Sequence, residues 1–297
     1  MCMRDCNPLP STADRRGGLL RLVSLLFSLA LGLAPGCSAR VGPETLPVSE
    51  SGRIRISGSD TMLILTRRWA EEYMREHPRV AVYAWGGGTG RGLDDLIHQR
   101  VDLSAASRPP QPDEVHQLAE RFGSVGLSYA VAKEALSVYV NPGNPVRNLS
   151  TEQLRQIFSG QIDNWRAVGG EDAPIRVFRR SSASGTYLYL KEHVLNGAEY
   201  SSDARIVQDT PEMVERVAHD VHAIGYGGVA YGPDLHIRVN GVVPSEETIR
   251  NGAYPITRYL YLISIASPRG DARRFVDWVQ GHRGQEIARG MGFVSLW

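Results

Sequence analysis

Cysteine is nearly missing from this chain of 297 residues: Cys2, Cys6 and Cys37 are the only three, all near the start. Downstream of them no disulfide, thiolate nucleophile or zinc–thiolate site can be built. An excess of one charge is missing too. Thirty-three Lys and Arg face 32 Asp and Glu, a net charge of +1, which excludes a global basic field for nucleic acid and an acidic tail. Several signatures of catalysis are absent as well. The glycine run at residues 86–92 never reads G-x-G-x-x-G and no P-loop lysine follows it, so nucleotide binding is disfavoured. Neither G-x-S-x-G nor S-x-x-K occurs, which leaves a serine hydrolase without support. His219, Asp220 and His222 lie close together without a third ligand at metal-motif spacing, so neither a metal nor a cofactor is expected. Trp69, Trp85, Trp165, Trp278 and Trp297 read as core or lobe packing, because no basic stripe accompanies them to make a base-stacking surface.

What is present begins with an export segment. Arg4, Arg15, Arg16 and Arg21 precede an apolar stretch at residues 22–31, too short to span a bilayer. It runs into Leu33-Ala34-Pro35-Gly36-Cys37, which resembles the lipobox of bacterial lipoproteins, where the cysteine is acylated. The expectation is a lipoprotein-type signal peptide over residues 1–37 with Cys37 as the lipid anchor. Secretion without a lipid is the competing reading. Residues 38–52, rich in Pro, Ser and Gly, read as a flexible tether, which places the rest of the chain in the periplasm or cell envelope.

From Arg53 onward one unit repeats. Arg53 to Ser57 alternates like a strand, turns at Gly58-Ser59-Asp60-Thr61, and enters a helix with Met62, Leu65, Trp69 and Tyr73 on one face. A second strand ends in the glycine run, with Gly88, Thr89 and Gly90 ahead of Leu93, Leu96 and Ile97. A third ends at Ala106 and turns at Ser107-Arg108. The fourth unit carries Arg180, Ser181, Ser182, Ala183, Ser184, Gly185 and Thr186 between the strand at residues 175–178 and a helix. Such alternation predicts α/β layers with mainly parallel strands, whose turns gather at the carboxyl ends. The apolar runs at residues 125–140 and 260–266 are candidate crossings between two lobes.

A single hydroxyl-rich turn is as well explained by an ordinary capped helix as by an anion cradle. Four of them are more specific. Helix N-termini aimed at one point, with short hydroxyls and an arginine, replace the water shell of a tetrahedral oxyanion.

These stretches, in this order, resemble the phosphate-binding proteins (PstS-like) of bacterial phosphate ABC transporters. They are Gly58-Ser59-Asp60-Thr61, the run at residues 86–90, Val101-Asp102 with Ala106-Ser107-Arg108, and Arg180 with Ser184-Gly185-Thr186. Further marks of the resemblance are Ala223-Ile224-Gly225-Tyr226 and Gly292-Phe293-Val294. The resemblance implies a two-lobed periplasmic-binding-protein fold of type II, with two crossing hinge strands and the ligand in the cleft. Lobe 1 would be residues 53–134 plus 256–297, and lobe 2 residues 135–255. It implies a non-catalytic, monomeric protein that binds inorganic phosphate and serves a membrane permease. Its expected ligand residues are Ser59, Asp60, Thr61, Met62, Gly88, Thr89, Ser107 and Arg108 from one lobe, with Arg180, Ser184, Gly185 and Thr186 from the other. Phosphate sensing is the alternative, as is the same fold binding sulfate or molybdate. Two departures stand out. Arg108 occupies a position where many members have an aspartate that accepts the proton of hydrogen phosphate. Ser182 stands where an acidic residue often orients the arginine. Both make the expected pocket more positive, with Asp60 left as the nearby carboxylate.

Overall fold

The computed structural model describes residues 52–297, so the leader, Cys37 and all of the tether but Gly52 lie outside the described residues. The chain enters on β1 (Arg53–Gly58), which buries Ile54 and Ile56 and leaves Arg53 exposed. It continues into α1 (Asp60–Glu76), whose buried stripe is Met62, Leu65, Trp69 and Tyr73. The same unit recurs as β2 (Ala81–Trp85) with α2 (Thr89–Ile97) and as β3 (Leu103–Ala106) with α3 (Pro112–Phe122). The 14-residue strand β4 (Leu127–Val140) then carries the chain away from these units. Beyond it lie β5 (Asn148–Leu149), α4 (Thr151–Phe158), β6 (Arg176–Arg180), α5 (Gly185–His193) and β7 (Arg205–Val207). They are followed by α6 (Thr210–Ala218), β8 (Ala223–Gly228), β9 (Arg238–Val239) and α7 (Glu246–Arg250). Strand β10 (Thr257–Ser264) returns, and α8 (Gly270–Gln280) and α9 (His282–Gly290) follow it.

The main sheet runs β2-β1-β3-β10-β4-β8-β6-β7. Its flanks are parallel, β1 with β2 and β3, and β6 with β7 and β8. The three antiparallel pairings all involve β4 or β10. The expected parallel arrangement therefore holds on the flanks and gives way at the centre, because one strand leaves where the other returns.

The two largest of the four buried apolar cores among the described residues lie on either side of that centre. One gathers Ile54, Trp69, Leu103, Ala132, Leu260 and Phe275, and the other Ala135, Leu154, Trp165, Leu190, Tyr226 and Ile256. The change of core falls between Ala132 and Ala135 along β4, and between Ile256 and Leu260 at β10. The fold is thus two-lobed α/β, and β4 and β10 cross between the lobes. Not every tryptophan packs inside as expected. Trp69 and Trp165 are fully buried, but Trp85 and Trp297 are exposed. Trp85 ends β2, which is an edge strand of the sheet among the described residues and so lacks a neighbour on one side.

Candidate functional site

Helices α1, α2 and α5 all begin at the junction of the lobes. Their N-cap residues are Ser59, Gly88 and Ser184. Ser184 Oγ accepts from the Tyr187 N–H at 3.4 Å, so this serine caps its helix and faces the junction at once. Thr61 Oγ1 at the start of α1 lies 3.0 Å from Thr186 Oγ1 at the start of α5. The Gly90 N–H of α2 donates to the Ala183 carbonyl at 3.0 Å. Thr89 Oγ1 stands 3.2 Å from Ser107 Oγ and accepts from the Ser107 N–H at 3.1 Å.

Two glycines make this approach feasible. A β-carbon on Gly185 would stand 2.5 Å from Thr89 Oγ1 and 2.7 Å from Ser107 Oγ. Gly88 combines a φ of +92° with a β-carbon position 2.8 Å from the Ala183 carbonyl oxygen. Only the missing side chains let backbone and hydroxyls of the two lobes face each other this closely.

Arg180, 3% exposed at the end of β6, supplies the fixed charge. Its Nη2 donates to Asp60 Oδ2 at 2.5 Å and to the Gln208 carbonyl at 2.7 Å. Its backbone N–H donates to Tyr226 Oη at 3.1 Å. Burial pushes that phenol up to about 12, so it stays a neutral acceptor. Asp60 in turn takes the Gly87 N–H on Oδ1 at 2.7 Å. The carboxylate that orients the arginine therefore comes from across the cleft rather than from position 182, where Ser182 is exposed.

The junction brings together Ser59, Asp60, Thr61, Gly88, Thr89, Ser107, Arg180, Ser184, Gly185 and Thr186. Met62, expected to contribute its backbone, has its side chain fully buried in a core, while its N–H lies in the first turn of α1 and donates to the Ser59 carbonyl at 3.1 Å. Arg108 also differs from expectation. Its guanidinium is forked onto Glu114, with Nη1 and Nη2 each 2.7 Å from a carboxylate oxygen, and Nη1 also reaches the Pro109 carbonyl. Glu114 matches its charge, so Arg108 does not make the cleft more positive. That same carboxylate accepts the Gln111 N–H at the start of α3, so the arginine reinforces a helix cap.

Sequence reasoning missed a second ion pair at the floor of the junction. Glu134 on β4 and Arg258 on β10 face each other in register, 0% and 4% exposed. Arg258 donates from Nε and Nη2 to Glu134 Oε1 at 2.9 and 2.7 Å, and Nη2 also donates to Thr186 Oγ1 at 2.9 Å. The signal in the sequence was Lys133-Glu134 interrupting an apolar strand. Four buried polar atoms around this junction have no hydrogen-bond partner: Arg108 Nε, Arg180 Nε, Arg258 Nη1 and Glu134 Oε2.

The chain is similar in sequence and fold to known proteins. A family model of the PBP superfamily domain matches residues 45–283. The chain is 27% identical to the phosphate-binding protein PstS of Pseudomonas aeruginosa, across 94% of this chain and 95% of that one. It is 30% identical to the protein SphX of Synechococcus elongatus, across 87% and 83%. A substrate-binding protein of Clostridium perfringens, solved with bound phosphate, superposes with a TM-score of 0.77 at 24% identity, covering 82% of this chain and 100% of that one.

Proposed function

The chain belongs to the PBP superfamily, and from that premise we propose that it captures inorganic phosphate outside the cytoplasm and delivers it to the permease of an ABC-type importer. The observation that carries this reading is the convergence of the α1, α2 and α5 N-termini with Arg180 and the hydroxyls of Thr61, Thr89, Ser107 and Thr186. First-turn N–H groups lack intrahelical partners and the helix dipoles favour negative charge there. A tetrahedral oxyanion satisfies several such donors at once, and each charge-assisted bond is about twice as strong as a neutral one. The names of the relatives supply the ligand, since PstS of Pseudomonas aeruginosa is a phosphate-binding protein.

In this reading lobe 1 comprises residues 53–134 and 256–297, and lobe 2 residues 135–255. Phosphate meets donors of both lobes only when they are together, so binding shifts the population towards the closed arrangement. Cys37 carries the lipid that holds a monomeric domain at the membrane, with residues 38–52 as its tether. No step of chemistry is assigned to the site. Its hydroxyls face other hydroxyls and backbone donors, and among the described residues no general base pairs with Ser184.

Calorimetry of the purified protein tests the reading. One phosphate per chain, with an affinity that falls on Arg180→Ala, is expected. No heat with phosphate overturns it. Phosphoester turnover abolished by Ser184→Ala would overturn the non-catalytic assignment.

A further inference from the structure

A phosphate site built only from donors cannot tell phosphate from sulfate, since both present tetrahedral oxygens to the same N–H and O–H groups. Discrimination needs an acceptor, because hydrogen phosphate carries a proton that sulfate lacks at neutral pH. Each carboxylate near the cleft can be examined for a free lone pair. Asp60 spends Oδ1 on the Gly87 N–H and Oδ2 on Arg180. Glu114 spends both oxygens on Arg108. Glu134 differs. Its Oε1 takes both Arg258 donors, while Oε2 is buried and has no partner.

The position of that oxygen is fixed by its neighbours. A β-carbon on Gly228 would stand 2.4 Å from Glu134 Oε2 and 2.8 Å from the Thr61 methyl, so the carboxylate and Thr61 border the same small space. Thr61 Oγ1 in turn meets Thr186 Oγ1, which takes Arg258 Nη2. Glu134, Arg258, Thr186 and Thr61 thus form one connected floor beneath the converging helices. The register pairing of Glu134 with Arg258 puts this floor at the seam where the two cores meet.

We propose that Glu134 is the specificity-determining residue of this cleft, its Oε2 accepting the proton of hydrogen phosphate and opposing any oxyanion without one. The proposal rests on the phosphate reading above. Burial pushes the pKa of this carboxyl up, and the Arg258 guanidinium bonded to Oε1 works against that shift in favour of the charged, accepting form. The other titratable groups around it are phenols: Tyr139 on β4, Tyr231 after β8 and Tyr189 on α5, all raised by burial and neutral. The pair adds no net charge, and Asp60 matches the charge of Arg180 in the same way. Sulfate in the same place would set a proton-free oxygen against Oε2, losing one hydrogen bond and facing a like charge.

The substitution that isolates this role is Glu134→Gln. Its carbonyl stays on Arg258, and its amide then presents N–H donors where Oε2 accepted. Calorimetry with inorganic phosphate and with sulfate at pH about 8 reads the ratio of affinities. The wild-type protein is expected to prefer phosphate strongly, and Glu134→Gln to cut that preference about 10- to 100-fold, the worth of a hydrogen bond to a charged group. A merely structural pair would weaken both anions alike and leave the ratio intact, which would overturn the proposal. A second measurement needs only the wild-type protein. Monofluorophosphate is a tetrahedral dianion with fluorine in place of the hydroxyl, and it is expected to bind as poorly as sulfate. Binding equal to that of phosphate overturns proton reading at this site. If the wild-type protein binds no phosphate at all, the phosphate reading itself fails, a result distinct from an unchanged ratio in the variant.

Discussion

Replacing Gly185 with alanine tests the closed geometry more directly than removing any donor. Gly185 opens α5, and its backbone lies outside the positive-φ region, so alanine fits it without backbone strain. In an isolated lobe the change is neutral or mildly favourable, since glycine is about 1 kcal/mol worse than alanine within a helix. The new β-carbon would stand 2.5 Å from Thr89 Oγ1, 2.7 Å from Ser107 Oγ and 2.9 Å from Thr89 Cβ. Ordinary contact needs roughly another 1 Å. Neither hydroxyl can yield freely, because Thr89 Oγ1 holds the Ser107 N–H at 3.1 Å and stands 3.2 Å from Ser107 Oγ. Overpacking of this kind costs about 1–3 kcal/mol. In the closure proposed above, the clash arises when α5 faces α2 and the turn after β3, so its cost is expected to fall on the phosphate-bound state. Phosphate affinity is therefore expected to fall about 5- to 150-fold, with the melting temperature measured without phosphate unchanged or slightly raised. Calorimetry supplies the first number and scanning fluorimetry the second. An affinity within about twofold of wild type would show that these groups do not oppose each other in the bound protein. An equal loss of stability without phosphate would show that the clash is not confined to closure.

Arg180→Ala strands Asp60 in a buried site and is expected to weaken phosphate binding by about 3 kcal/mol or more, whereas Arg91→Ala removes an exposed partner of Asp95 and changes little. Comparable losses in calorimetry would place the cradle's charge elsewhere. Trp165→Ala empties a fully buried site and frees the His222 carbonyl from its 2.9 Å bond, so a loss of about 3–5 kcal/mol is expected in urea unfolding. His236 lies stacked on Tyr139, and burial lowers its pKa, so the folded protein favours the neutral ring. The unfolded chain then binds more protons as pH falls below about 6.5. That contribution to stability is complete above this value and declines below it. A melting temperature whose acid-side decline is the same in His236→Gln would refute the assignment.

Much of this architecture was legible from spacing. Met62, Leu65, Trp69 and Tyr73 recur at helical intervals, and they form the buried stripe of α1. The hydroxyl and glycine turns mark the starts of α1, α2 and α5, since a strand that ends in small residues frees the next helix N-terminus. The long run ending at Val140 reads as a crossing because it is longer than one lobe requires, and it became β4. What spacing could not show was partnership across the cleft. Arg108 reads as a free cation until Glu114, six residues on, is seen to grip it in a fork. Ser182 reads as a lost orienting carboxylate until Asp60, far away in the chain, is found on Arg180. Trp85 reads as a core residue until β2 proves to be an edge.

The Glu134–Arg258 pair shows why such partnerships escape a linear reading. An acidic residue in an apolar strand is ordinarily a solvated outward position of a pleated sheet. Here the strand has no solvated face at that point, because Glu134 is fully buried beside Thr61 of α1 and is bonded to Arg258, which also reaches Thr186 of α5. Burying a carboxylate and a guanidinium costs several kcal/mol per ion, and a well-packed apolar pair would serve stability as well or better. A structural role alone therefore does not account for Glu134 Oε2, a buried carboxylate oxygen left without a donor at the floor of a donor-lined cleft. The geometry is accounted for if that oxygen has a partner during function. In a site of N–H groups, neutral hydroxyls and paired carboxylates, this free carboxylate oxygen is the charged acceptor that the proton on hydrogen phosphate fits.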